Sequence, residues 1–180
     1  MEAHERIRLF VALRLPDETV EQLVAWQLAE LAGASDARIV PPGNLHVTLA
    51  FLGSTPTADI EPILGLLREL ASKVERPMLA GGEYRETRSV GMVRLEDDGG
   101  RATRLAAGVG EELEGLGVYE RERRAWLPHV TVLRFRRPPR LEPAPPDLGR
   151  LSPSEVALYH SVLRPTGAQY EVVESIPLGG

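Results

Sequence analysis

Leu45-His46-Val47-Thr48-Leu49-Ala50-Phe51-Leu52-Gly53 is the stretch that decides the fold. It is apolar enough for a buried strand, and a glycine closes it. Side chains alternate across a strand, so His46 and Thr48 share one face. Leu45, Val47, Leu49 and Phe51 share the other. Ala50 and Leu52 leave little polar surface on the first face, so a histidine and a threonine there call for an explanation. Pro128-His129-Val130-Thr131-Val132-Leu133-Arg134-Phe135 repeats the pattern. Of the 4 histidines, two carry a threonine two residues later inside an apolar run. The repetition predicts two similar halves, each delivering one His-x-Thr strand to a shared cleft.

Outward from the first motif, residues 7–15 form an apolar run broken by Arg8 and Arg14, as expected of a central strand. Pro16 and Asp17 open a helix whose stripe is Val20, Leu23, Val24, Leu28 and Leu31, with Gly33 as its stop. Residues 38–40 form a short strand, and Pro41-Pro42-Gly43 is a stiff turn that aims the first motif. A second helix follows Thr57, with Ile60, Ile63, Leu64, Leu67, Leu70 and Val74 facing inward. Residues 78–86 and 90–96 read as strands, followed by the turn Asp97-Asp98-Gly99-Gly100. A third helix places Leu105, Val109, Leu113 and Leu116 on one face and stops at Gly117. Residues 138–146 are a proline-rich connection without regular structure. Residues 155–163 and 169–176 close the chain as a strand pair. The mixed order of helices and strands reads as α+β, two small antiparallel sheets forming a central cleft with helices on their outer faces, an arrangement that periodicity alone does not deliver.

Composition narrows the chemistry. The 180 residues suit a single domain of two intertwined lobes spanning residues 1–180. Without cysteine there is no disulfide, thiolate nucleophile or Cys-ligated zinc. The polar, charged start is unlike a signal peptide, and no apolar run reaches membrane-spanning length. A cytoplasmic, monomeric protein with no membrane partner is expected. The net charge of −5 argues against a broad nonspecific nucleic-acid surface but leaves room for a small basic cleft. Arginines gather around the second motif at Arg121, Arg123, Arg124, Arg134, Arg136, Arg137 and Arg140. Phosphate-loop and dinucleotide fingerprints are absent. Threonine is a poor metal ligand, and no third ligand has suitable spacing, so neither a metal nor another cofactor is expected.

The paired His-x-Thr motifs and their flanks resemble the two-histidine (2H) phosphoesterases. Within that superfamily they are most similar to the bacterial and archaeal RNA 2′,3′-cyclic phosphodiesterases, also called 2′-5′ RNA ligases. The flanks are Arg8-Leu9-Phe10-Val11-Ala12-Leu13, Val40-Pro41-Pro42-Gly43-Asn44, Arg124-Ala125-Trp126-Leu127, Leu158-Tyr159-His160-Ser161 and Gly167-Ala168-Gln169-Tyr170-Glu171. The resemblance runs over nearly the whole chain and implies a bilobal fold. It also implies hydrolysis of RNA or nucleotide 2′,3′-cyclic phosphates to 2′-phosphates, with minor reverse 2′-5′ ligation. RNA 3′ ends carrying a cyclic phosphate, or cyclic nucleotides, are then the expected partners.

Two imidazoles across a cleft are suited to serve as acid and base near neutral pH. The resemblance makes His46 the proton donor to the leaving oxygen and His129 the proton acceptor from water. Arginines around His129 are expected to disfavour its imidazolium, whereas His46 has no basic neighbour in the nearby sequence. The Thr48 and Thr131 hydroxyls can donate to phosphate oxygens. Arg134 is a candidate phosphate ligand, implied by the resemblance. Strict alternation points it away from the cleft, so either a bulge or a curled side chain is required. Phe10 and Tyr159 are candidate base-stacking groups, with plain core an equal reading for Phe10 and with Ser161 on the same face as Tyr159. Trp126 either lines the cleft or packs its loop, and His160 either approaches the cleft or, as the favoured reading, is a partly exposed sheet residue. A small-molecule cyclic phosphate as substrate, and a noncatalytic RNA-end binding module, are the alternatives.

Overall fold

Residues Leu9, Phe10, Val11, Ala12 and Leu13 are all buried, so both faces of their strand are covered. Such a strand belongs inside a sheet. The computed structural model, which describes residues 5–179, places it there. The elements are β1 (Arg6–Arg14), α1 (Asp17–Glu30), β2 (Ala37–Ile39), β3 (His46–Pro56), α2 (Ile60–Lys73) and β4 (Leu79–Glu86). There follow β5 (Val90–Asp97), α3 (Arg101–Leu116), β6 (His129–Phe135), β7 (Arg150–Leu151), β8 (Glu155–Arg164) and β9 (Gly167–Pro177). His4 lies outside the described residues.

One sheet runs β3-β1-β8-β9 and the other β2-β6-β5-β4-β7, with every paired strand antiparallel. The fold is α+β, and each sheet carries one His-x-Thr strand. The short β7, on the far edge of the second sheet, has no counterpart among the strands expected from the sequence. No helix among the described residues is long and apolar enough to cross a membrane.

The helices cover the sheets' outer faces. In α2, Ile63, Leu64, Leu67 and Ala71 are buried, and Arg68 clamps Glu174 of β9 with two contacts of 2.7 Å. Helix α1 departs from the expected stripe. It buries Thr19, Leu23, Trp26 and Gln27, while Leu28 is 64% exposed. Two polar anchors set this rotation. Trp26 Nε1 donates to the Ala144 carbonyl at 2.7 Å, which ties down the proline-rich connection. Gln27 Nε2 donates to the carbonyls of Val40 at 3.1 Å and Val132 at 2.9 Å. Counting apolar residues alone misses a glutamine that must face inward to satisfy buried carbonyls.

Gly53 does not end its strand. It adopts φ 69°, a left-handed conformation that glycine takes at little cost. The β1–β3 pairing shifts register beside it and continues to Pro56.

Candidate active site

Each motif strand contains an irregularity at the same place. In β3, Ala12 pairs with Thr48 but Val11 pairs with Ala50, so Leu49 is an extra residue. In β6, Met92 pairs with Thr131 but Gly91 pairs with Leu133, so Val132 is the extra residue. A bulge switches the parity of everything beyond it. Leu49 and Ala50 are therefore buried in succession, as are Val132 and Leu133. The fifth residue after each histidine swings back to the histidine's face. Arg134 thus joins His129 and Thr131, which resolves its odd spacing in favour of a bulge.

The same shift corrects the sequence reading of Phe51. It was expected on the face of Val47 and Leu49. Opposed residues in a ladder share a face, and Phe51 opposes Phe10 as Thr48 opposes Ala12. Phe51 consequently lies on the His46 face and is 49% exposed. The Arg8 guanidinium lies 5.4 Å from its ring centre.

Both imidazoles are held in the same way. His46 Nδ1 donates to the Asn44 carbonyl at 2.8 Å, and His129 Nδ1 donates to the Leu127 carbonyl at 2.9 Å. A carbonyl can only accept, so the contact fixes the proton on Nδ1 in the neutral ring and leaves Nε2 for chemistry. At His46, Nε2 accepts from the Thr48 hydroxyl at 2.8 Å. Among the described residues no equivalent bond joins Thr131 to His129. The Trp126 indole donates from Nε1 to the Thr48 carbonyl at 3.0 Å, which stitches the lead of one motif onto the strand of the other.

Beneath His46 is an aromatic floor. Its ring centre is 4.9 Å from Phe10, 6.0 Å from Tyr159 and 5.5 Å from Tyr170, and Phe10 stacks on Tyr159. Burial in this nest lowers the His46 pKa to about 4. The hydrogen bond to Asn44 opposes the shift, and the positive charges of Arg134 and His129 add to it. The sequence led to the opposite expectation, that His46 would keep its proton for want of a basic neighbour. The fold brings Arg134 to it from the other sheet, and burial, the largest cause, lowers the pKa together with both charges.

Phe10 is 3% exposed, Tyr159 6% and Ser161 8%. A base cannot stack on a ring with no free face, so the expected stacking role of Phe10 and Tyr159 does not fit their burial. They support His46 instead, and Ser161 is buried beside them. Tyr170, opposite Ser161 on β9, is the accessible member of the cluster. Its hydroxyl accepts from Arg134 Nη2 at 3.4 Å, a contact spanning the two sheets. Tyr170 and Phe51 are therefore the site aromatics that sequence reasoning missed. The bulge that exposes Phe51 leaves no mark in the alternation pattern. His160 lies off the cleft, 3.9 Å from the Glu171 carboxylate. Among the described residues no group of His, Cys, Asp or Glu could hold a metal ion.

Comparison with known proteins agrees with this geometry. A model described as LigT like Phosphoesterase matches residues 13–82, which include the first motif. The chain is 35% identical to the RNA 2′,3′-cyclic phosphodiesterase of Thermus thermophilus, over 97% of this chain and 91% of the relative. It is 31% identical to the protein of that name from Archaeoglobus fulgidus, over 92% of this chain and 97% of the relative. The crystal structure of TT0787 from Thermus thermophilus superposes with a TM-score of 0.83 at 32% identity, covering 97% of this chain and 99% of that one. The chain belongs to the LigT-like phosphoesterases, a branch of the two-histidine family.

Proposed function

We propose that this protein hydrolyses RNA 2′,3′-cyclic phosphates to 2′-phosphates through metal-independent catalysis by His46 and His129. The observation that carries the reading is the matched pair of imidazoles. Each is pinned at Nδ1 to the carbonyl two residues before it, and each shares its sheet face with a threonine. Curated relatives bearing the name RNA 2′,3′-cyclic phosphodiesterase support the substrate class.

In the proposed reaction one imidazole takes a proton from water as the water oxygen attacks phosphorus. The bond from phosphorus to the 3′-oxygen breaks, and the other imidazole delivers a proton to that oxygen. Positioned proton transfer of this kind contributes roughly 10² to 10⁴ in rate. Thr48, Thr131 and Arg134 hold the nonbridging oxygens as charge moves onto them. The substrate base rests on the accessible faces of Tyr170 or Phe51. Run backwards with a 5′-hydroxyl in place of water, the same steps give a 2′-5′ linkage, a minor path in water.

The family resemblance makes His46 the acid and His129 the base. With its pKa lowered to about 4, His46 is neutral at pH 7 in the free protein. The substrate phosphate supplies the missing condition, because a negative charge beside the ring favours imidazolium. In this account His46 takes up its proton on substrate binding.

The test is incubation with a 2′,3′-cyclic nucleotide and excess chelator, with the product read by phosphorus NMR. A 2′-monophosphate is expected. A 3′-monophosphate, or turnover only after a divalent ion is restored, would overturn the mechanism.

A further inference from the structure

A cavity beside the turn that precedes His46 meets the reaction above only at Tyr170. It has a volume of about 400 Å³ and opens between the Pro42–Asn44 turn leading into β3 and the hairpin joining β8 to β9. Its lining includes Asn44, whose carbonyl holds His46, and Tyr170, whose ring packs edge-on against the His46 imidazole. None of its lining residues is acidic. Asn44 Nδ2 donates to the Ala168 carbonyl at 2.8 Å and so fixes the hairpin against the turn.

Two guanidiniums flank the cavity. Arg164 is part of the lining, and its Nε bonds the neutral Gln169 side chain at 3.3 Å. Arg38 reaches over from β2 and donates from Nη1 to the Thr166 carbonyl at 3.2 Å. It lies against Gly167, where an added Cβ would come within 3.1 Å of its Nη1. Among the described residues neither arginine forms an ion pair. Arg38 also stands directly opposite Arg134 in the β2–β6 ladder. Like charges in that position are destabilising, and an anion spanning both relieves the repulsion. In a chain of net charge −5, an acid-free cavity beside these cations is a place for a second phosphate.

We infer that this cavity binds the nucleotide on the 5′ side of the one carrying the cyclic phosphate, with Arg38 and Arg164 holding the phosphodiester between them. The inference rests on the cyclic phosphodiesterase reading and narrows it. The preferred substrate is the end of an oligoribonucleotide, and a free cyclic mononucleotide leaves half of the site empty.

The experiment compares three ligands by calorimetry and by kcat/KM. They are a cyclic mononucleotide, the same compound with a 5′-phosphate, and a dinucleotide ending in the same cyclic phosphate. Their 2′-phosphate products serve for the binding arm. The dinucleotide should bind at least about tenfold more tightly than the mononucleotide, with the 5′-phosphate compound in between. In the R38Q/R164Q double variant that advantage should shrink to about twofold, with mononucleotide turnover retained.

A dinucleotide that gains nothing, or a gain that survives in the double variant, would overturn the subsite. So would a 5′-phosphate compound equal to the dinucleotide, because only a phosphate would then be read. If no ligand is turned over but the dinucleotide still binds through both arginines, the subsite stands and the catalytic reading falls.

Discussion

Strands β3 and β6 are built alike and finished differently. Both carry His-x-Thr, both pin the histidine to the carbonyl two residues back, and both bulge at the residue after the threonine. The bulge brings the fifth residue after the histidine to the cleft, where β6 presents Arg134 and β3 presents Phe51. The surroundings of the histidines differ too. His46 is enclosed by Phe10, Tyr159 and Tyr170. No aromatic ring packs on His129 among the described residues. A shared backbone device thus turns the fifth residue of two similar motifs to the histidine's face, and in the proposed reaction the side chains there divide the work between charge and apolar surface.

The largest expected effect tests the shared part. His46→Ala and His129→Ala should each lower turnover of a 2′,3′-cyclic nucleotide by about 10² to 10⁴, with circular dichroism unchanged. If only one variant is impaired, the two strands are not partners in the same reaction.

The second effect sharpens the difference between the histidines. The His46 pKa falls from 6.5 in an unfolded chain to about 4 in the fold. Between those values the unfolded chain binds a proton that the native state refuses, so stability falls as pH falls. The stabilisation is complete above pH 6.5 and is lost progressively down to pH 4. Its size is on the order of 3 kcal/mol. Denaturant titrations should show this slope in the parent protein and lose it in His46→Asn. A slope that persists in the variant would place the buried titration elsewhere.

The two residues beyond the bulges come next. Arg134→Ala should weaken binding of inorganic phosphate by about 10-fold or more, the range of a charge-assisted contact. Phe51→Ala should leave phosphate binding alone and weaken a nucleotide by a few-fold, as a lost stacking face does. Equal losses for both ligands in both variants would erase the proposed division. The smallest effect concerns the tie between the motifs. Trp126→Phe keeps the ring but removes the donor to the Thr48 carbonyl. It should cost about 1 kcal/mol in denaturant unfolding, and no change would show that the tie is made by packing alone.

Much of this was legible in the sequence. The parity of His46 with Thr48 and of His129 with Thr131 follows from strand geometry, and the recurrence implied a common cleft. The α+β class was readable from the mixed order of helices and strands, although periodicity alone does not deliver the two-sheet cleft. What escaped was whatever depends on a local break or on distant chain. The bulges at Leu49 and Val132 sit inside apolar runs that look the same with or without them, so Phe51 was assigned to the wrong face. Leu28 was assigned inward because Gln27 gives no sign of the two carbonyls it must satisfy. The sequence neighbourhood of His46 misled most. Its aromatic cover comes from Phe10 of β1 and from Tyr159 and Tyr170 of the closing hairpin, and the charge of Arg134 reaches it from the other sheet.

The central claim is that the two imidazoles act as an acid and base pair, and leaving-group rescue tests it most directly. A cyclic substrate whose 3′-oxygen is replaced by sulfur leaves without protonation, so it no longer needs the acid. His46→Ala should recover most of its lost rate on this substrate, and His129→Ala should not. Recovery by His129→Ala alone would exchange the two roles. Recovery by neither would rule out the acid and base pair and leave both histidines as phosphate ligands only.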